Sequence, residues 1–272
     1  MSAALDLAIE GIGLCAPGLP DWTVAAAALR GTGHHVDEPA AAIPKVTLLS
    51  PNEQRRAPQS VLLAAAAAEQ ACRMAGRAPC ELPNVFASSY GDLAINDYLC
   101  AVLARAPREL SPTKFHNSVH NAPAGYWTIA AGCTASSTAL SAGRATFAAG
   151  LLETATIACA EATPVLCVAV DVAASGPLAG MIDCDAAFAV ALVLAPPAGA
   201  HARRLRLQLR DGDAAQLAPL PAALHALRER NPAAVGLPLL AALARREPAT
   251  FDFALHDDKD LPPSTLHLEI AF

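Results

Sequence analysis

Residues 4–14 (ALDLAIEGIGL) alternate apolar with small or polar residues, the period of a strand, and end in glycines that suggest a turn. Pro17, Gly18 and Pro20 prolong that turn, and Asp21 reads as the cap of a short helix from Trp22 to about Arg30. The stretch from Gly31 to Lys45 is rich in Gly, His and Pro and reads as irregular. After Arg55-Arg56 the pattern becomes helical over Gln59–Ala75 (QSVLLAAAAAEQACRMA). So many alanines leave most faces of this helix free to be buried, and its neighbours must approach closely. Gly76 is a natural stop, and Pro79 and Pro83 keep the next connection from becoming helical. NVFASS (84–89) reads as a short buried strand, and Leu93–Arg105 as a helix.

Further on, a helix starting near Ala142 runs to about Ala162, where Pro164 ends it. PVLCVAVDV and AAFAVALVLAP are uninterrupted apolar runs, the pattern of strands buried on both faces. Helix followed by buried strand, repeated, predicts an α/β fold with both faces of its sheet covered. ARRLRLQLRDG alternates Arg with Leu, which predicts a strand with one wet face at a sheet edge. Helices over about 221–230 and 237–246 follow. TFDFALHD and TLHLEIAF read as late strands joined by DDKDLPPS, so residues 198–272 diverge from a core of residues 1–197 within a single domain.

Composition narrows the classes. The chain has 272 residues, of which 54% are hydrophobic, yet runs such as Val61–Ala68 and Phe188–Pro197 fall short of the roughly 20 residues that cross a bilayer. No membrane span is expected. MSAALDLAIEGIG carries acids and no basic segment, unlike a secretory leader, so a soluble, cytoplasmic protein is expected. A net charge of −6 argues against nucleic acid as a partner. The eight cysteines form no C-x-x-C pair and sit in apolar contexts, which reads as reduced, buried thiols. No metal site and no cofactor is expected.

Candidate chemistry concentrates in residues 111–150, SPTKFHNSVHNAPAGYWTIAAGCTASSTALSAGRATFAAG. His116 and His120 would share a helical face, a metal-compatible spacing, but the prolines around them break the helix pattern and no third ligand has a matching spacing. The plainer reading is a polar turn in which His116, Asn117, His120 and Asn121 satisfy one another and nearby backbone. A nucleophile would have to be Ser136, Ser137 or Ser141 beside a base such as His120, or Cys133. Arg144 stands at the head of an alanine-rich helix, where an unpaired buried guanidinium would cost several kcal/mol. It must be exposed or paired across an interface.

At these residues the chain resembles the N-terminal half of the β-ketoacyl synthases. LAIEGIGLCAPG is similar to that family's first strand and turn, NVFASSYGD to its second strand, and HNAPAGYWTIAAG to the segment preceding its dimer strand. SSTALSAGRATFAAGLLETATIACAEATPVLCVAVD lies without gaps on the nucleophile strand, helix and following strand, and the condensing cysteine's position is then Arg144. The resemblance implies a thiolase-like fold, truncated to mainly the N-terminal half, with layered helices and a central mixed sheet. The family's second half is largely missing, so His225, His256 and His267 take no family role. SPTKFHNSVHNAPAGYW resembles chain-length-factor-like homologues associated with aryl polyene, xanthomonadin-type pigments.

That resemblance implies a non-catalytic subunit paired with a full-length ketosynthase as a heterodimer, meeting acyl carrier protein through that partner. The strand at about Ser136–Ala142 would pair across the two-fold axis. Phe115, His116, Asn117, His120, Asn121, Ser137, Thr138, Ala139, Leu140, Ser141 and Arg144 are then the expected pocket and interface residues. Two other readings stay open: an acyltransferase or thioesterase using Cys133 or Ser141, and a homodimeric scaffold that docks carrier proteins.

Overall fold

The structure, a computed structural model, describes residues 4–33, 45–197, 203–214, 220–256 and 260–272. The predicted irregular stretch at 31–45 therefore lies mostly outside the described residues, as do the boundary residues 198–202. Eight strands form one mixed sheet: β1 (Leu5–Cys15), β2 (Asn84–Ala87), β3 (Ser137–Leu140), β4 (Val165–Asp171), β5 (Phe188–Ala195), β6 (Arg204–Asp211), β7 (Ala249–Ala254) and β8 (Ser264–Ala271). Their order is β3-β2-β4-β5-β1-β6-β8-β7. β2, β3 and β4 run parallel, and every other pairing is antiparallel.

The helices are α1 (Trp22–Leu29), α2 (Pro51–Arg56), α3 (Gln59–Ala75), α4 (Leu93–Arg105), α5 (Pro112–His116), α6 (Ala122–Ala131), α7 (Thr146–Glu161), α8 (Ala222–Glu229) and α9 (Leu237–Arg245). α3 and α6 cover one face of the sheet, while α1, α7, α8 and α9 cover the other. Alternation along the strands decides which core each residue joins: Val85 and Ala87 enter the α7 side, Phe86 the α3 side. Among the described residues no helix is long and apolar enough to cross a membrane.

The glycines of β1 do not end the strand; they lie inside it. A Cβ on Gly11 would come 2.0 Å from the Ala71 carbonyl oxygen, and one on Gly13 would come 1.9 Å from that of Ala67. α3 packs directly on bare backbone, which is what its alanines permit. Local caps hold as expected: Asp21 accepts from the Val24 N–H at 2.9 Å, and Gly76 closes α3 with φ +64°.

Three further expectations change. The Arg/Leu strand, β6, lies between β1 and β8 rather than at an edge; its wet face belongs to arginine side chains, while β8 pairs its whole length and β1 pairs Arg204–Leu207. The α-helix after β3 begins at Thr146, because Gly143–Ala145 form a 3₁₀ turn first. Of the cysteines, Cys80, Cys100 and Cys159 are exposed rather than buried; all eight are free thiols. The short helices α2, α5 and α6 carried too few periodic residues to be seen in advance.

Candidate functional site at the ends of the parallel strands

β2, β3 and β4 finish side by side, the end of an open α/β sheet where ligands commonly bind. The β4 run closes on Asp171, which is almost fully buried. Its carboxylate accepts from the Ser88 hydroxyl (2.9 Å) and from the N–H groups of Ser89 (2.9 Å) and Tyr90 (3.2 Å), just past β2. Burial pushes this carboxyl up to about 6, while those donors pull it back. Asn231 locks the same corner by donating to the carbonyls of Asp171 (2.9 Å) and Ala186 (2.8 Å).

The network reaches β3. Ser89 donates to the Gly143 carbonyl at 2.8 Å, and Ser141 donates to the Ser89 carbonyl at 3.0 Å. His120 Nε2 lies 2.8 Å from the Ser88 carbonyl. Arg144, in the 3₁₀ turn beyond Ser141, is exposed and pairs within the chain with Asp183 at 3.2 Å. Burial raises the nearby Tyr90 phenol, and the Arg144 charge opposes that rise. A cavity of about 240 Å³ opens beside Arg144 between Ala148, Val235, Phe253 and His256.

Among the described residues neither Ser141 nor Cys133 is bonded to a base. Ser141 binds a carbonyl, and among the described residues no histidine is bonded to it. Cys133 lies at the opposite end of β2, bonded to the Leu82 carbonyl and beside Asn84. Cys184, close to the Asp171 corner, is driven up to about 12 by burial and then by Asp171, so it holds its proton at neutral pH.

The FHNSVHN residues divide between two places. His116 ends α5, and His120 sits in the turn before α6, so the two share no helical face. Nor do these residues satisfy one another. Asn117 is buried, donates to the Arg56 carbonyl (2.9 Å) and accepts from the Tyr126 hydroxyl (3.0 Å), fastening α2, α5 and α6 together. Outside that clasp runs a groove of about 510 Å³, bordered by His116, Val119, Asn121, Gly125, Tyr126 and Ile129. Ile129 is 76% exposed, Phe115 62% and Val119 53%.

Next to α6 lies β3, which among the described residues pairs only with β2 and leaves its other edge open. Ser137 donates to Asn84 at 2.7 Å, while Thr138, Ala139 and Leu140 are half-buried along the strand. Among the described residues no group of three metal-ligating side chains forms. Sequence reading missed Asp171, Ser88, Ser89 and Asn231. The available signal was an acid ending an otherwise apolar strand, with two serines ending its neighbour.

A three-layer α/β fold with a polar corner at the ends of its parallel strands and an open strand beside them defines a ketosynthase-type half. The chain belongs to the family described as beta-ketoacyl synthase, N-terminal domain, which matches residues 28–252. Among solved structures it is similar to a chain of the ketosynthase ApeO in complex with its chain length factor ApeC from Xenorhabdus doucetiae. The identity is 25% and the TM-score 0.71, and the match covers 97% of this chain and 99% of that one. A chain of the AntDE:AntF type II PKS complex, at 12% identity and TM-score 0.70, shares the fold over 99% of both chains. Only 71% of a β-ketoacyl synthase from Burkholderia phymatum is covered, at 14% identity and TM-score 0.59. No curated protein sequence matches the chain.

Proposed function

We propose that this chain is a cytoplasmic, non-catalytic, chain-length-factor-like subunit that pairs with a catalytic ketosynthase in a type II system making an aryl polyene pigment. The observation that carries this reading is the open edge of β3, flanked by the exposed apolar side chains of α5 and α6. An unpaired strand edge beside such a patch is a liability in a monomer and suits an interface. Similarity to the ApeO–ApeC complex over nearly the full length of both chains supports that partner class. The pigment class rests on the resemblance of SPTKFHNSVHNAPAGYW.

Arg144, in place of a thiol, supports the non-catalytic role: a protonated guanidinium is no acyl acceptor, and among the described residues no base is bonded to Ser141. Pocket and interface residues are then Phe115, His116, Asn117, His120, Asn121, Ser137, Thr138, Ala139, Leu140, Ser141 and Arg144. Carrier protein would be met through the partner. Co-expression with a full-length ketosynthase of the same organism should give a one-to-one complex, and the isolated chain should not condense malonyl- with acyl-carrier protein. Condensation by the isolated chain, or a monomer that ignores that ketosynthase, overturns the proposal.

A further inference from the structure

On the other core face, where the C-terminal ends of α1 and α9 meet the start of β6, a cavity of about 270 Å³ collects Arg30, Arg203 and Arg246 beside the rings of Trp22 and Phe272. Three like charges around one cavity repel unless something neutralises them. No described side-chain carboxylate forms an ion pair with them. The two oxygens of Glu10 are both taken by Arg77, at 2.8 Å each, and Asp6 pairs with Arg206. Arg203 instead donates to the Glu10 backbone carbonyl at 3.5 Å and to the Met74 sulfur at 3.6 Å. Burial, and then the charge of Arg246, hold its guanidinium below its ordinary value, so an anion here would relieve it.

Arg30 and Arg245 have structural work to do. Arg30 donates to the Ala244 carbonyl at 3.3 Å, and Arg245 donates to the Leu29 carbonyl at 3.2 Å, so each helix end is closed by the other's arginine. Arg246 makes no side-chain hydrogen bond or ion pair with any described residue. It also has φ +59°, a left-handed backbone that glycine would adopt without strain. A bulky cation is held there at a conformational cost and with no partner among the described residues.

We infer that this arginine cavity binds a phosphate or pyrophosphate group, with Arg203 and Arg246 on its oxygens and Trp22 along its side. Guanidinium forks match phosphate geometry. The volume is below the roughly 300–1,000 Å³ of sites for drug-sized ligands, which suits a small anion or the terminal phosphates of a larger molecule. This site stands apart from β3 and does not depend on the proposed partner.

Titration calorimetry of the full chain at fixed ionic strength, with pyrophosphate and separately with ADP, tests it. One saturable site is expected, accompanied by a change in Trp22 fluorescence that Trp22→Phe abolishes. Arg246→Gly, which suits the backbone, should retain or raise the melting temperature and weaken binding at least tenfold; Arg246→Asn, also tolerant of that φ, serves if the glycine variant fails to fold. Tighter binding of ADP than of pyrophosphate assigns the site to the end of a larger phosphate ester, and equal binding assigns it to the free anion. Absence of saturable binding by either probe, or binding by the Arg246 variant within twofold of wild type, overturns the inference.

Discussion

α3 and α6 lie on the same face of the sheet and are built from the same small and apolar vocabulary, yet one is sealed and the other is half bare. Along α3, Ala64 to Ala68 and Ala71 are buried against backbone that Gly11 and Gly13 leave uncovered. Along α6, Trp127 is buried, but Ile129 faces out and a Cβ on Gly125 would meet nothing within 4 Å. The first helix is covered on most faces; the second buries only one face, against α3 and β2, and among the described residues the strand beside it ends the sheet. Phe115, Val119 and Ile129 gather their exposed apolar surface beside an open strand edge, as half of an interface does.

Breaking the sealed side should have the largest effect. Gly13→Val places its Cβ against the Ala67 carbonyl, which cannot give way without moving α3, and should cost about 3 kcal/mol or more. Urea unfolding checks this; a variant as stable as wild type would mean that α3 does not sit on bare backbone. On the open side, Ile129→Asp should leave the unfolding midpoint of the isolated chain nearly unchanged. It should weaken the ketosynthase complex by about 2 kcal/mol, roughly thirtyfold. Analytical ultracentrifugation reads the second number, and an undiminished complex would move the interface elsewhere.

Asp171 lies where the two sides meet. Asp171→Asn keeps the oxygen that accepts from Ser88, Ser89 and Tyr90 but sets an NH2 where the second oxygen accepts from the Ser89 N–H, and should cost about 1–3 kcal/mol at low pH. Its folded value near 6 is raised above the ordinary 3.8, so the folded state holds a proton that the unfolded state releases between those values. The contribution of this group is therefore fully present below about pH 4 and is lost as pH rises through 6. Wild type should lose up to about 3 kcal/mol across that window relative to the asparagine variant, and parallel stability–pH curves would refute the assignment. The smallest effect belongs to Arg144→Ala: its pair with Asp183 is open to solvent, and thermal stability should change by less than about 1 kcal/mol.

Local patterns with a steady period were readable in advance. The strands at Leu5–Cys15, Val165–Asp171 and Phe188–Ala195, the helix Gln59–Ala75 and the cap at Asp21 all follow from residues within a few positions of one another. The candidate site was less legible, because its bonds join distant positions. Asp171 with Ser88 and Ser89, and His120 with Ser88, meet only because β2 and β4 lie side by side. Period two told that β6 has a wet face; it carried no information on whether another strand lies along its backbone, and β8 does.

What the sequence alone determined is therefore the inventory: which segments extend, which coil, the ketosynthase resemblance, and an arginine where that resemblance expects a thiol. Tertiary structure decided the rest. It put Gly11 and Gly13 under α3 and gave Asp171 its three donors, and among the described residues it left the outer edge of β3 and the Ile129 face of α6 uncovered. It also gathered Arg30, Arg203 and Arg246, far apart in the chain, around one cavity. The reason is physical: secondary-structure propensity is set by near neighbours, whereas burial, charge compensation and an open edge depend on what packs against a residue from elsewhere in the chain.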